Sequence, residues 1–597
     1  MLVKFLSLLK ISKNKVFTNP TEDVNQKILS KLNTKRLPSW SQLKQLPKIL
    51  DKQEKRKLLA ALGILIIGIF GLLNNLYRQN SVIAADNGGT YTEGLIGSPN
   101  LINPILATSD VDRDLVRLIF AGLMKTDDKG NIILDLANNY TVDAEQKIYT
   151  FELRSDIYWH DGEPITADDI IFTINRIKNP EFKSPLKNSF NGINVTRIND
   201  KTIQFALAEP FAPFLSILTV GILPEHLWYS IPVFGADLAE LNKKPIGSGP
   251  YTFKSLVKDT NGNIKNYTLA AFEGYHFNRP YINELIFKFY PDFDIAAAAL
   301  QNKNVDGLIY LPQSYKSEIK NKNVVIKNLQ SPQYTALFFN PNKNTQLNNA
   351  NFRKALAFGV DKQRILTEAI NNDGQVIHSP ILPGSLGYDS EMTDVNYNLE
   401  EAKTILDTLG WKENEESDWR QKDEADLTVK LTTVDQAENI KTASIIKDAW
   451  ESIGIKTELE IISKNKIRHD VIESRNYEIL IFGEIMNESS GPYPFWHSSQ
   501  TKHPGLNLSI LTNKDINAAL EDIRQAKNDV VKQEALTKFQ EKLLEQHFAV
   551  FLYNPTYTYP VGHKLRGLDD LNFVNVPADR FSNIHSWFLN TKRTLSK

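Results

Sequence analysis

The chain has 597 residues, too many for one hydrophobic core, so two or more lobes are expected. Hydrophobic residues make up 42% and charged residues 23%, the proportions of a globular chain and not of a disordered one. It contains no cysteine, which excludes disulfides, thiol nucleophiles and thiolate metal sites, and its 69 basic and 70 acidic residues leave a formal net charge of −1.

That neutrality conceals an asymmetry. Residues 1–57 hold 14 Lys/Arg against Glu22, Asp23, Asp51 and Glu54, a balance of +10 that leaves −11 for the remainder. Neither part interleaves basic and aromatic residues in the manner of a nucleic-acid binder, so no nucleic-acid partner is expected. The first segment is lysine-rich and interrupted by Pro20, Pro38 and Pro47, which reads as a solvated or membrane-surface tail. Leu58 to Tyr77 then runs twenty residues without a charge, between Lys55-Arg56-Lys57 and Arg78. About 20 apolar residues cross a bilayer, and the basic flank places the N-terminus on the cytoplasmic side. A cleaved leader is the competing reading, with Val82-Ile83-Ala84 or Ile83-Ala84-Ala85 as the site. The long region upstream and the length of the apolar core favour an uncleaved anchor. Residues 78–89 read as a linker.

Tyr91 to Gly97 is predicted as the first strand beyond it, and Val111, Leu115, Ile119, Phe120 and Leu123 as the stripe of the first helix. Asp128-Lys-Gly130 and Asp143 to Lys147 are turn signals. An ordered module follows. Tyr149, Phe151 and Leu153 alternate with Thr150, Glu152 and Arg154 as in a half-buried strand, and Asp161-Gly162 supplies a turn. Thr166 caps the next helix, Asp169 reaches back to it, and Ile170, Ile171, Ile174 and Ile177 form the buried stripe. Lys201 to Leu207 is another strand. Gly247-Ser-Gly249-Pro250 lacks the Lys-Ser/Thr ending of a phosphate loop and reads as a tight turn.

Strands over Thr268–Ala271 and Ile282–Tyr290, a helix over Ile295–Leu300 and a strand from Val305 complete this half. Lys327 to Asn340 reads as an extended crossing segment. Helices are expected over Phe352–Ala369 and Leu399–Leu409, and Glu413 to Asp426 reads as an exposed acidic loop. Leu427–Thr433, the helix Ala437–Ile453 and Lys456–Ile461 form a strand-helix-strand unit. Tyr477 to Phe482 is an apolar strand buried on both faces, helices follow over 514–546, and Phe548 to Asn554 reads as a return into the first lobe.

Several blocks in one order carry a resemblance: Ser98-Pro-Asn-Leu-Ile-Asn-Pro104, Trp159-His-Asp-Gly-Glu-Pro164 with Thr166-Ala-Asp-Asp169, Pro245-Ile-Gly-Ser-Gly-Pro-Tyr251, and Asn351-Phe-Arg-Lys-Ala-Leu-Ala-Phe-Gly-Val-Asp361. From about Thr90 onward the chain resembles the family 5 extracellular solute-binding proteins, the oligopeptide- and dipeptide-binding receptors of ABC importers. The resemblance implies a two-lobe α/β fold of periplasmic-binding-protein type, class II, with an extra subdomain near 131–245. Lobe I is then 90–331 with 549–597, and lobe II is 332–548. It implies no enzyme activity and no cofactor, a peptide ligand, ABC permease subunits as partners, and a monomeric ectodomain.

No residue cluster argues for catalysis. His160-Asp161-x-Glu163 brings a histidine near carboxylates, but adjacent turn residues point apart and the resemblance gives them a structural role. His497 and His503 stand without ligand spacing, and Ser489, Ser490, Ser498 and Ser499 lack a G-x-S-x-G elbow, so no metal or nucleophile is assigned. The informative stretch is Gly483 to Ser499, polar, glycine-containing and aromatic after a buried strand, the mixture that presents loops to a ligand. The resemblance implies a carboxylate here for a peptide amino group. Asn487 or Glu488 falls nearest that place, while Gly491-Pro492 stands where relatives often read Asp-Pro. The expected ligand-binding set is Ala107, Thr108, Ser109, Asp110 and Val111 on the first lobe, Glu484, Ile485, Asn487, Glu488 and Trp496 on the second, and Tyr553 and Asn554 at the return. A receptor for another solute (oligosaccharide, metal chelate, signalling peptide) and a hydrolase using Glu488 or Asp161 are the alternatives.

Overall fold

The structure, a computed structural model, describes residues 51–211, 213–414, 417–486 and 491–595. The basic tail expected over residues 1–50 and the candidate residues Asn487 and Glu488 therefore lie outside the described residues. Among the described residues, one unit comprises 51–84 with 593–595 and the other Ala85–Lys592.

In the first unit Lys52–Gln79 is a single 28-residue helix, so the apolar segment is longer than its uncharged core. Asp51 caps it by accepting from the Gln53 and Glu54 amides at 2.7 and 2.9 Å, and Glu54 reaches back to the Asp51 amide. The helix is long and apolar enough to cross a membrane, and none of its residues is buried. Ser81–Asp86, read as part of a linker, is extended as a strand.

The second unit holds two lobes. Lobe I is built on a five-stranded sheet in the order Gly307–Leu308, Thr90–Ile96, Glu284–Tyr290, Ile264–Ala271, Tyr251–Lys258. Thr90–Ile96 pairs in parallel on both sides, whereas the last three strands run antiparallel. A separate four-stranded antiparallel sheet, in the order Ala137–Val142, Ile148–Leu153, Thr202–Leu207, Ile193–Asn199, lies within the span expected for the extra subdomain. Its alternation is realised in packing: Tyr149, Phe151 and Leu153 are buried, with Phe151 edge-on to Phe205 and Tyr149 against Phe214. The Ala167–Lys178 helix follows, with the Asp169 carboxylate accepting from the Thr166 amide at 2.9 Å. Ile170, Ile174 and Ile177 are buried while Ile171 is half-buried, one step off the stripe.

Lobe II is organised by a six-stranded mixed sheet in the order Gly374–Val376, Ala549–Pro555, Gln333–Phe339, Ile479–Ile485, Thr428–Val434, Lys456–Ile462. Both faces are covered, as a near-continuous apolar strand requires. Leu337, Phe339, Ile479, Ile481, Val550 and Leu552 pack into one core, and Tyr334, Ala336, Phe338, Leu480 and Phe551 into the other. The expected return into lobe I at residue 549 is corrected here. Ala549–Pro555 pairs with Gln333–Phe339 inside lobe II, and the chain crosses only afterwards, at Thr556. The hydrophobic run made this strand visible, but nothing in it specified which sheet it would join.

Two further expectations change. The helix expected over Phe352–Ala369 is two helices, Ala350–Phe358 and Lys362–Glu368. Trp450 packs where a side chain at Gly359 would stand, its indole N–H donates to the Leu356 carbonyl at 3.0 Å, and Asp361 caps the second helix through the Arg364 amide. The stretch read as an exposed acidic loop forms small strands, Lys412–Asn414, Ser417–Lys422 and Ala425–Asp426. Its organiser is Arg420, 1% exposed, which donates to Asp407, Glu413 and the Trp411 and Ile453 carbonyls, each at 2.9 Å.

Candidate ligand-binding groove

A groove of about 1340 Å³ lies between the lobes. On lobe I its wall includes Ala107, one face of the Asp110–Ile119 helix (Arg113, Val116, Arg117), Lys125, and parts of the 213–221 and 572–585 segments. On lobe II it includes Pro383, Gly384, Ser385, Asp529 and Lys532. Gln330 and Pro332, where the chain passes between the sheets, close it.

The helix in this wall is positioned from three sides. At its start Ser109 caps it by accepting from the Asp112 amide at 3.1 Å, and the Asp112 carboxylate accepts from the Asn100 and Leu101 amides, fixing the Ser98–Pro104 block against it. Along its inner face Val111, Leu115, Leu118 and Ile119 are buried with Asp114, whose carboxylate receives Arg580 at 2.6 and 2.9 Å. Arg580 also donates to Glu93 at 2.8 Å, and the Tyr559 hydroxyl donates to the same carboxylate at 2.9 Å. Burial pushes Asp114 up to about 6 against the pull of the guanidinium. At its end the Gly249 amide donates to the Ile119 carbonyl at 2.7 Å. A Cβ on Gly247 or Gly249 would fall 2.0 or 2.6 Å from carbonyl oxygens of that helix, so glycine is required at both.

His160 locks this junction. Its Nδ1 accepts from the Gly247 amide at 3.2 Å and its Nε2 donates to the Gly249 carbonyl at 3.0 Å, so the ring is neutral, and burial lowers it to about 4. Asp161 faces His226 at 2.9 Å. Two of the sequence blocks are thus one structural joint, and His160 is a staple rather than an acid-base group.

The family model described as bacterial extracellular solute-binding proteins, family 5 Middle, matches residues 131–505. The chain belongs to this family. It is a solute receptor rather than an enzyme. The oligopeptide-binding protein AppA of Bacillus subtilis (strain 168) is 25% identical over 557 residues, 90% of this chain and 99% of that one. A dipeptide-binding protein of Escherichia coli (strain K12) is 29% identical over 53% of this chain and 62% of its own length. The solved AppA structure, in complex with a nonapeptide, superposes with a TM-score of 0.68 over 85% of this chain and 100% of that chain, at 25% identity. NikZ from Campylobacter jejuni, at 24% identity, has a TM-score of 0.70 over 84% of this chain and 99% of that one and shows the fold alone.

Within this family 5 receptor the described site residues do not gather at one place. Ala107 lines the groove, and Thr108, Ser109 and Asp110 are exposed beside it, with no acceptor for the Thr108 and Ser109 amides among the described residues. Val111 turns into the lobe I core, and Ile485 is exposed at the end of its strand. Glu484, Trp496 and Tyr553 are buried within lobe II. The Tyr334 hydroxyl donates to Glu484, directly across the strand pair, and Trp496 packs on Phe551 with centroids 5.6 Å apart. Asn554 holds the interlobe crossing, donating to the Ser331 and Gln333 carbonyls at 2.8 and 2.6 Å and accepting from Gln375 at 3.0 Å.

Sequence reasoning missed the charged wall. Arg113, Val116 and Arg117 follow helical spacing away from the buried Val111, Leu115, Leu118 and Ile119, so the period that locates the core also locates this face. Lys125 carried no such signal, because a lysine between Met124 and Thr126 in a short strand reads as an ordinary surface position.

Proposed function

We propose that this protein is a membrane-anchored receptor that captures extracellular peptides between its lobes and hands them to an ABC permease. The observation that carries the peptide reading is the match to AppA over nearly that protein's whole length, together with an interlobe groove of about 1340 Å³. Such a volume exceeds the roughly 300–1,000 Å³ of sites for single small molecules and suits several residues of extended chain. The open amides at Thr108 and Ser109 supply side-chain-independent pairing to a peptide backbone, and Glu484, Ile485, Trp496, Tyr553 and Asn554 shape or support the lobe II side. Lobe closure around the ligand is the mechanism. Mass spectrometry of what co-purifies with the protein tests it: peptides support the reading, and a non-peptide solute in their place defeats it.

Asn487 or Glu488 takes the ligand's amino group in this reading. Glu488→Gln is expected to weaken a free-amine peptide by about 1.5–3 kcal/mol and to leave its N-acetylated form unchanged in calorimetric titrations. Equal losses for both peptides would remove Glu488 as the anchor.

The anchor is the Lys52–Gln79 helix, with the basic segment before it in the cytoplasm. Protease added to intact cells is expected to release the receptor domain and to spare the segment before the helix. A mature N-terminus near Ala85 in the native host would show a cleaved leader instead.

A further inference from the structure

Of the charged residues lining the groove, Arg113, Arg117, Asp135 and Asp579 are committed to partners, whereas Lys125, Lys129, Asp529 and Lys532 have no ion pair among the described residues. Arg117 lies 2.9 Å from Asp579, and Arg113 lies 3.4 Å from Asp110. Asp135 is held by His276 Nε2 at 2.8 Å, and Arg154, behind the wall, is held by Asp156 at 3.1 Å. Lys125 differs. It lines the groove from the Met124–Thr126 strand, half-buried between two buried neighbours and paired in register with Ile133. Its Nζ sits 3.6 Å from the centroid of the Phe277 ring, yet among the described residues it has no hydrogen-bond acceptor and no carboxylate within 4.0 Å.

A cation over an aromatic face retains part of its stabilisation, but an ammonium has three donors and a ring satisfies one direction. Partial burial pulls its pKa below the ordinary lysine value, with Arg117 and Arg154 pushing the same way and Asp135 and Asp127 opposing. His585, also in the wall, is held near 4 by burial and Lys125, and so adds no charge at neutral pH. Lys125 is therefore a desolvated positive charge facing an interlobe groove with its donors unspent, the arrangement that an incoming anion completes.

We propose that Lys125 is a carboxylate anchor of the groove, so that the receptor selects peptides that place a carboxylate, from an acidic side chain or the C-terminus, against this lobe I wall. The inference rests on the peptide reading of the groove. It adds a charge preference and assigns it to one residue.

The test uses the full-length protein in detergent and four matched random pentapeptide pools. These have a free or amidated C-terminus, each with Asp/Glu or with Asn/Gln in their place, and bound peptides are read by mass spectrometry. The wild type is expected to enrich carboxylate-bearing pools over the amidated Asn/Gln pool by about tenfold or more, the scale of one charge-assisted contact. Lys125→Met and Lys125→Gln are expected to bind all four pools alike, and Lys125→Arg to retain the preference. Loss on amidation alone assigns the C-terminus, and loss on Asn/Gln replacement alone assigns a side chain. A wild type that does not discriminate overturns the proposal, as does an unchanged preference in both neutral variants. If no pool binds, succinate decides. Binding by the wild type and not by Lys125→Met discards the peptide reading and keeps the anchor, whereas no binding by either discards the anchor. Because the lysine strands no carboxylate or hydrogen-bond acceptor and loses only its contact with the Phe277 ring, both neutral variants are expected to melt near the wild-type temperature, so the binding comparison is made on folded protein.

Discussion

Replacing Arg580 with methionine is expected to destabilise the receptor domain by about 3–5 kcal/mol, read as a shift in the urea midpoint at constant slope. Arg580 is fully buried and is held at 2.7 Å from Glu93 and 2.6 Å from Asp114. Methionine fills much of the volume but leaves two buried carboxylates facing each other, with only the Tyr559 hydroxyl on Glu93. The loss is therefore electrostatic, and two consequences separate it from a packing defect. First, it depends on pH: Asp114, already near 6 beside the guanidinium, rises further without it, so by pH 5 one carboxyl is neutral and the penalty is smaller than at pH 8. Second, the triple variant Glu93→Gln, Asp114→Asn, Arg580→Met removes every charge and is expected to recover most of the loss. A penalty independent of pH and unrelieved in the triple variant would mean that shape, and not charge, makes Arg580 necessary. Asp114 lies on the helix whose opposite face lines the groove, so Arg580→Met is also expected to weaken ligand capture from a distance.

Much of this architecture was legible in the sequence because it rests on local chemistry. The alternation of Tyr149, Phe151 and Leu153, the reach of Asp169 back to Thr166 and the stripe of Ile170, Ile174 and Ile177 are short-range patterns, and each appears at the expected place. What escaped depended on contacts distant in sequence. Nothing near Ala549–Pro555 says that its partner is Gln333–Phe339, and nothing in the acidic 413–426 stretch says that Arg420 folds inward to bind Asp407 and Glu413. The break at Gly359 is of the same kind, imposed by Trp450 from ninety residues away. Of the expected first-lobe segment, Ala107 lines the groove, whereas the charged wall beside it was not read from the sequence. Asp579, which pairs with Arg117, comes from the far end of the chain.

Glu484 shows why a carboxylate in the right stretch of sequence is not by itself an anchor for a ligand's amine. It lies on the strand that leads to Asn487 and Glu488, but it is 6% exposed and pairs directly across the sheet with Tyr334, whose hydroxyl donates to it. Burial raises its pKa from 4.5 to about 8, while the Tyr334 hydrogen bond and Arg475 only moderate the rise. At neutral pH the folded protein thus keeps a proton here that the unfolded chain releases. In the interval from about 4.5 to 8 the native state binds more protons, so this group's contribution to stability is complete below the unfolded pKa and falls as pH rises toward the folded one. The Glu484→Gln variant is neutral at every pH and keeps an oxygen for the Tyr334 hydroxyl. It is expected to gain on the wild type by about 1.4 kcal/mol per unit between pH 6 and pH 7, and by less per unit as pH approaches 8, in urea titrations. Parallel stability profiles for the two proteins over that interval would show that Glu484 is already ionised in the native state. A neutral carboxyl engaged with tyrosine offers no charge to an ammonium ion, so Glu484→Gln is also expected to leave the affinity for a free-amine peptide at pH 7 unchanged. A loss confined to the free-amine peptide would instead place Glu484, and not the residues that follow it, opposite the ligand's amino group.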